Sequence, residues 1–365
     1  MRMAPDPLRG PSSPEATGFI AVTGAEGALG RAVVDALRAA GDRPVLALVD
    51  PAASEVGIPS DATVVDLLTA DLKPLLDGTS VLVHLASVFG PSLDEDPAVE
   101  AAEDVVAAQR LLDAAGSVGV EHVVLLSSAA VYGAWANNAM PLTEDATLRP
   151  CPDLAYAVQR AEIERRLAEW RHDHPSATAT VLRQAPVVGD DGPDGWLARA
   201  LHTTRRVADV DGDPPSQFVH VEDLAAAVVL AATARLDGAR NVAPDGWLRG
   251  AEYTALDAGT PKVRLPRRLG DRVARLRWRL RLAPTPPGLV PYARHPWVVA
   301  NDRLRAEGWE PQHSNEEAFV DGTPATALAT LSPRRRQELA LGITGGALVA
   351  GVGAAVWATV RRARK

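Results

Sequence analysis

The chain has 365 residues, 47% of them hydrophobic and 23% charged, with a formal net charge of −8 at pH 7. That length allows a large core in one principal domain with appendages, and the acidic balance gives a general nucleic-acid role no electrostatic support. A single cysteine, Cys151, excludes an intramolecular disulfide framework and fits a reducing compartment.

Residues 1–17 place Pro5, Pro7, Pro11 and Pro14 among Ser and Gly with no long apolar run, which predicts a disordered lead and not a secretory signal. An apolar strand beginning at Phe19 then runs into Gly24, Gly27 and Gly30, followed by an Ala/Val/Leu-rich helix. This is the pattern of a dinucleotide-binding turn. Gly24 permits the tight turn, Gly27 lets backbone N–H groups approach a pyrophosphate, and Gly30 allows the helix to pack closely on the strand. A second apolar run, Val45 to Val49, ends at Asp50, whose carboxylate can accept both hydroxyls of a ribose. No basic residue stands beside Asp50 to hold a 2′-phosphate, so the pattern favours NAD over NADP.

Further strands are expected at 63–65, 81–84 and 122–127, and helices at 98–115 and 154–170. Their alternation predicts an α/β fold, a Rossmann-type doubly wound parallel sheet covered on both faces. Asp66 and Leu67 follow the third strand, His84, Leu85, Ala86 and Ser87 end the fourth, and Ser127 to Gly133 end the fifth. All fall at carboxyl ends of strands, where open α/β sheets bind their ligands. Tyr156 and Arg160 then put a phenol and a cation one turn apart on one helix face.

On these residues the chain resembles the extended short-chain dehydrogenase/reductase superfamily, and within it the NAD-dependent epimerase/dehydratase family, over residues 18–320. The resemblance assigns Gly24, Gly27, Gly30 and Asp50 to the cofactor, with Asp66 and Leu67 on its adenine side. It extends that role to Leu85, Ala86, Ser87 and, under the nicotinamide, Pro186 and Val187. It makes Ser128 and Tyr156 catalytic, with Tyr156 and Arg160 also touching the cofactor. Gln217 to Leu224 and Asn301 to Trp309 carry further family hallmarks. Two positions depart from the pattern: the family lysine is Arg160, and the helix position usually held by Asn is Asp104. Arginine keeps the charge but replaces a compact ammonium with a planar fork. The implied chemistry is Tyr-assisted hydride exchange, as in an oxidoreductase or isomerase, on a nucleotide-sugar-like or lipid-linked alcohol. Degeneracy at Arg160 and Asp104 implies the alternative, a non-catalytic NAD(H) sensor or membrane scaffold. Family resemblance also implies a homodimer joined through the 98–115 and 154–170 helices.

The NAD-binding domain is expected over 18–250, including part of the substrate region at 190–216, with a smaller C-terminal substrate-binding region over 251–330. His84 and His220 end apolar runs and are expected to be buried and structural, while His172 and His174 read as a solvated loop, so no metal site is expected. Between 262 and 281, arginines alternate with Leu269, Val273, Leu276 and Leu280 at helical spacing. This basic amphipathic helix most simply lays its apolar face on the domain; a nucleotide diphosphate and anionic lipid are the other readings. Residues 339–360 carry no charge, would span about 33 Å as a helix, and lie between Arg334, Arg335, Arg336 and Arg361, Arg362, Arg364, Lys365. A transmembrane helix over 338–361 is therefore expected, anchoring a cytoplasmic catalytic domain to the cell membrane by a single C-terminal pass.

Overall fold

The computed structural model describes residues 18–41, 43–51, 58–86, 97–189, 195–207, 214–257, 267–280 and 285–322. Alternating strands and helices come first: β1 (Phe19–Thr23), α1 (Ala28–Ala40), β2 (Val45–Val49), β3 (Thr63–Val64), α2 (Lys73–Leu76), β4 (Thr79–His84), α3 (Pro97–Val118), β5 (His122–Ser128), α4 (Ala155–Asp173) and β6 (Thr178–Gln184). There follow β7 (Val187–Val188), α5 (Trp196–Val207), β8 (Val219–His220), α6 (Val221–Ala234), β9 (Gly238–Val242) and α7 (Gly250–Leu256). The chain continues through α8 (Arg267–Arg279), α9 (Val290–Arg294), α10 (Asp302–Ala306) and α11 (Asn315–Asp321).

Seven strands form one sheet in the order β3-β2-β1-β4-β5-β6-β9, every pairing parallel. Strand direction is uniform, so all carboxyl ends open on one edge, and the order reverses between β1 and β4. That crevice is where such sheets take ligands. Alternate side chains leave each strand for opposite faces. Ile20, Val22, Val81, Val83, Val124 and Leu126 join one core with Val33, Val34 and Leu37 of α1 and Leu224 and Val228 of α6. Ala21, Leu82, Val123 and Leu125 join the other with Leu111 and Leu112 of α3 and Ile163 and Leu167 of α4. Burial on both faces is why β4 and β5 read as continuous apolar runs.

Beyond β6 the chain leaves the sheet and returns to it once, at β9. β7 pairs in parallel with β8, and Val188, Phe218, Tyr253 and Phe319 close a small third core beneath α7 and α11. One expectation is reversed in this region. Leu269, Leu276 and Leu280 of the basic helix stand 46%, 55% and 55% exposed, so the apolar stripe of α8 faces outward. Gly270 is buried instead, and Asp271 meets Arg294 at 2.9 Å. Small Gly270 and Ala274 permit the close approach that leucine would block. Among the described residues no helix is long and apolar enough to cross a membrane; the segment 338–361, like the lead 1–17, lies outside them.

Candidate functional site

The glycine turn is built as its spacing requires. Gly24 adopts φ +77°, and a Cβ there would sit 2.7 Å from the Ala86 nitrogen. At Gly30 a Cβ would lie 2.0 Å from the Gly24 carbonyl oxygen, so only glycine lets α1 rest on the turn. Gly27 is the N-cap of α1, and no side chain caps that first turn. Its N–H groups and the helix dipole are therefore available to a phosphate. Leu85 is buried, and the Ala86 amide donates to Thr23 Oγ1 at 3.4 Å, which fixes the β4 end against the glycine loop. Ser87 lies outside the described residues.

Asp50 follows β2 and meets a residue the spacing did not single out, Glu26 of the glycine loop. Burial holds the Glu26 carboxyl above its ordinary range, backbone hydrogen bonds from Glu26 and Asp50 pull it back, and the Asp50 charge raises it further. The end of β2 beside the glycine loop thus carries two acids. Farther out, Asp66 accepts from the Leu68 amide at 2.8 Å and the Thr69 hydroxyl at 2.5 Å, capping its own turn. The Thr69 and Leu68 bonds, in that order, hold the exposed carboxyl below its usual range. Leu67 is tied to α3 through its carbonyl, which accepts from Arg110 Nε at 3.0 Å.

Ser128 closes β5 and caps the 3-10 turn Ala129–Tyr132, its Oγ accepting from the Ala130 amide at 3.2 Å. Ser128 itself is fully buried. Tyr156 lies in the first turn of α4, its ring 5.2 Å from that of Trp196 and edge-on. Arg160, one turn on, sets its guanidinium carbon 5.4 Å from the centre of the Tyr156 ring, while Nη1 donates to the Leu126 carbonyl of β5 at 3.3 Å. Its Nε is buried with no hydrogen-bond partner among the described residues. The cation thus reaches the carboxyl ends of the central strands despite the changed head group. Asp104, the other departure, accepts from the Gln159 side chain beside Arg160. Pro186 and Val187 follow β6, with the Ala185 amide bonded to the Val242 carbonyl at 2.9 Å.

His84 is buried and His220 half-buried, and both are hydrogen-bonded. Thr23 Oγ1 lies 2.8 Å from His84 Nδ1, and burial pushes the imidazole down to about 3, with Arg160 adding like-charge repulsion. Burial likewise pushes His122 down to about 4. A folded pKa below the unfolded value leaves stability intact above pH 6.5 and removes it as the pH falls, because the unfolded chain takes the proton that the folded one refuses. At pH 5 each imidazole then costs about 2 kcal/mol. The thermal midpoint should drop by about 10 °C between pH 7 and pH 5, and His84→Asn should remove about half of that slope. A flat calorimetric profile in the parent would contradict the burial of both rings. His220, Glu222 and His313 bring potential ligand atoms within 4.8 Å of one another. His220 Nδ1, however, already accepts from the Glu222 amide at 3.3 Å to cap α6, so its lone pair is committed to the helix.

Two further groups lay beyond sequence reasoning. Behind the Ser128 turn, Arg183 Nη2 pairs with Glu164 at 2.8 Å and its Nη1 donates to the Tyr132 hydroxyl at 2.9 Å. Tyr132 donates in turn to Asn241 at 2.8 Å, Ser127 donates to Glu164, and burial pushes the Tyr132 phenol up to about 12. The signal available was a lone Arg in the otherwise uncharged strand β6. Beside that turn opens a cleft of about 400 Å³, lined by Ala129, Pro186, His202, Arg205, Tyr253 and Trp297 among others. Arg205 stacks over Tyr253 at 4.6 Å, giving the cleft an aromatic wall with a cation. These residues meet only through tertiary contacts.

The sequence model of the NAD dependent epimerase/dehydratase family matches residues 20–243, more than half of the chain. The chain belongs to this family. Among its relatives is a 3-diazoavenalumate denitrifying reductase of a Streptomyces species, 30% identical over 80% of this chain and 96% of the relative. A UDP-glucose 4-epimerase of Corynebacterium glutamicum is 26% identical over 72% of this chain and 82% of its own. A relative of unassigned role from Sinorhizobium fredii is matched over 55% of its own length. The fold is shared with the UDP-glucose 4-epimerase of Thermus thermophilus, solved in complex with NAD: TM-score 0.62 at 22% identity, covering 83% of this chain and 97% of that one. The family is NAD-dependent, and the crowded Gly24 and Gly30 positions, the uncapped α1 terminus and the paired acids at Asp50 fit that nucleotide.

Proposed function

We propose that this chain is an NAD-dependent epimerase or oxidoreductase of the extended short-chain type, acting on a nucleotide-sugar-like or lipid-linked alcohol or carbonyl. The observation that carries the proposal is the convergence of Tyr156, Arg160 and the Ser128 turn at one strand edge, beside a cleft with an aromatic and cationic wall. NAD, when bound, would take up a hydride from the substrate carbon and return it. The Tyr156 phenol would exchange the proton of the substrate hydroxyl, with the Arg160 guanidinium facing its ring. Ser128 would donate its hydroxyl proton to the same oxygen. Pro186 and Val187 would form the floor on the cofactor's reactive side, and Arg205 suits a diphosphate.

Support for a nucleotide sugar comes from the epimerase relatives, and the reductase relative shows what else the family scaffold carries. The test is direct: incubate the full chain with NAD and UDP-glucose or UDP-galactose, separate the products, and follow reduced nicotinamide with other alcohols and carbonyls. Conversion supports the reading, and a chain that shows no heat of binding with either oxidation state of NAD overturns it. Binding without conversion of any class favours the second reading, a non-catalytic NAD(H) sensor or membrane scaffold, which the departures at Arg160 and Asp104 motivate.

Selectivity for NAD over NADP follows from Asp50 and Glu26 together. Asp50→Ala should weaken NAD binding by about 10- to 150-fold, the worth of hydrogen bonds to a charged acceptor. Adding Glu26→Gln should narrow the preference over NADP, because a 2′-phosphate then meets no acid. Calorimetric titration with both nucleotides decides this, and an unchanged preference in the double variant would exclude Glu26. Val99 and Val106 of α3 and Val158 of α4 are exposed, which supports a homodimer through those helices. In this reading 338–361 tethers a cytoplasmic catalytic domain to the cell membrane.

A further inference from the structure

The direction in which α8 points is independent of whether the site turns over. Its Gly270, Asp271, Ala274 and Arg277 side lines a cleft with Pro286 and Arg294, so that side holds the helix on the body. At about 100° per residue, Leu269, Val273, Leu276 and Leu280 fall within about 60° of one another on the opposite side. Three of these are among the most exposed large apolar residues described, at 46%, 55% and 55% for Leu269, Leu276 and Leu280. Arg272, Arg275 and Arg279 are exposed along one flank of that stripe. The one acid of the helix, Asp271, is turned inward to Arg294 at 2.9 Å. An outward leucine stripe, bordered by arginines that pair with no acid among the described residues, is a local reversal of charge on a chain of formal net charge −8.

We propose that α8 lies in the plane of an anionic lipid surface, with its leucine stripe in the acyl boundary and its arginines among the phosphates. Such a surface is apolar at its centre and negative at its rim, matching both components of the helix. The chain's own uncharged segment, 339–360, is the rival cover. Arg334, Arg335 and Arg336 precede it and Arg361, Arg362, Arg364 and Lys365 follow, so its ends repel the arginines of α8. Docked this way, α8 would turn one side of the C-terminal region toward the membrane. A tail anchor alone imposes no such orientation.

The test uses the full chain reconstituted with vesicles, so that a tail anchor, if there is one, is the same in every arm. An environment-sensitive dye is attached at Leu276→Cys, where the native Cys151 is 3% exposed and does not compete. Phosphatidylglycerol vesicles carrying a quencher in the upper acyl region should quench the dye, and phosphatidylcholine vesicles should not. Arg272→Gln, Arg275→Gln and Arg279→Gln combined should weaken the helix–surface equilibrium by roughly 100-fold, and half-molar salt should weaken it in the parent. Each variant's thermal midpoint should match the parent, since the altered side chains are exposed. A dye that stays in water with both lipids overturns the proposal. So does one already shielded before vesicles are added, which would place the tail or a second copy on the stripe.

Discussion

Glu164→Ala is expected to cost about 3–5 kcal/mol of folding stability, the penalty for leaving a buried charge without its partner. Glu164 and Arg183 side chains are 5% and 10% exposed, and Arg183 Nε and Nη2 both donate to the same carboxylate, at 3.1 and 2.8 Å. Burial alone would weaken the Arg183 charge, and the Glu164 carboxylate outweighs it, holding the guanidinium above its ordinary range. Removing Glu164 strands that cation between β6 and the Ser128 turn, where Ser127 also loses its acceptor. Urea unfolding measures the loss. Glu164→Met with Arg183→Met should recover most of it, because a filled apolar site carries no desolvation penalty. A single variant within about 1 kcal/mol of the parent would mean that water reaches Arg183.

The effect reaches the site through the backbone. Ser127 and Ser128 are neighbours on β5 facing opposite ways, Ser127 fixed by Glu164 and Ser128 capping the 3-10 turn whose Ala129 lines the cleft. Tyr132, at the end of the same turn, is held by Arg183 and Asn241. The pair therefore sets the position of the Ser128 turn, and Glu164→Ala should lower turnover as well as stability.

The sheet was legible because burial on both faces leaves β1, β2, β4 and β5 as unbroken apolar runs, and Gly24 and Gly30 because no other residue fits their crowding. Tyr156 and Arg160 were legible because one helical turn brings them together whatever surrounds them. Other features were not. β7 and β8 are two residues each, too short to show a period, and they pair across the chain. The cleft joins Pro186, Arg205, Tyr253 and Trp297, whose separations carry no local pattern. Glu26 sits inside a recognised motif at a position that motif leaves open, so only its approach to Asp50 marks it. For α8 the periodicity defines an apolar face and no direction for it; packing resolves this in favour of Gly270 and Ala274 against the body.

Tyr156→Phe is expected to lower turnover by about 10²- to 10⁴-fold, the range for loss of a positioned acid–base group, with NAD affinity within about twofold of the parent. The substitution is clean. Phenylalanine keeps the edge-on contact with Trp196 and the face presented to Arg160, so only the hydroxyl is lost. Full activity in this variant would remove Tyr156 from the chemistry. Arg160→Lys completes the argument, because the guanidinium spans from the Tyr156 ring to the Leu126 carbonyl as a planar group, and a compact ammonium cannot hold both with the same geometry. A site built around the fork should lose about tenfold in rate on that change, the worth of about one hydrogen bond to a charged group. A gain in rate would instead mark Arg160 as the lesion of a degenerate site, and would leave the NAD(H) sensor as the better account of what the fold retains.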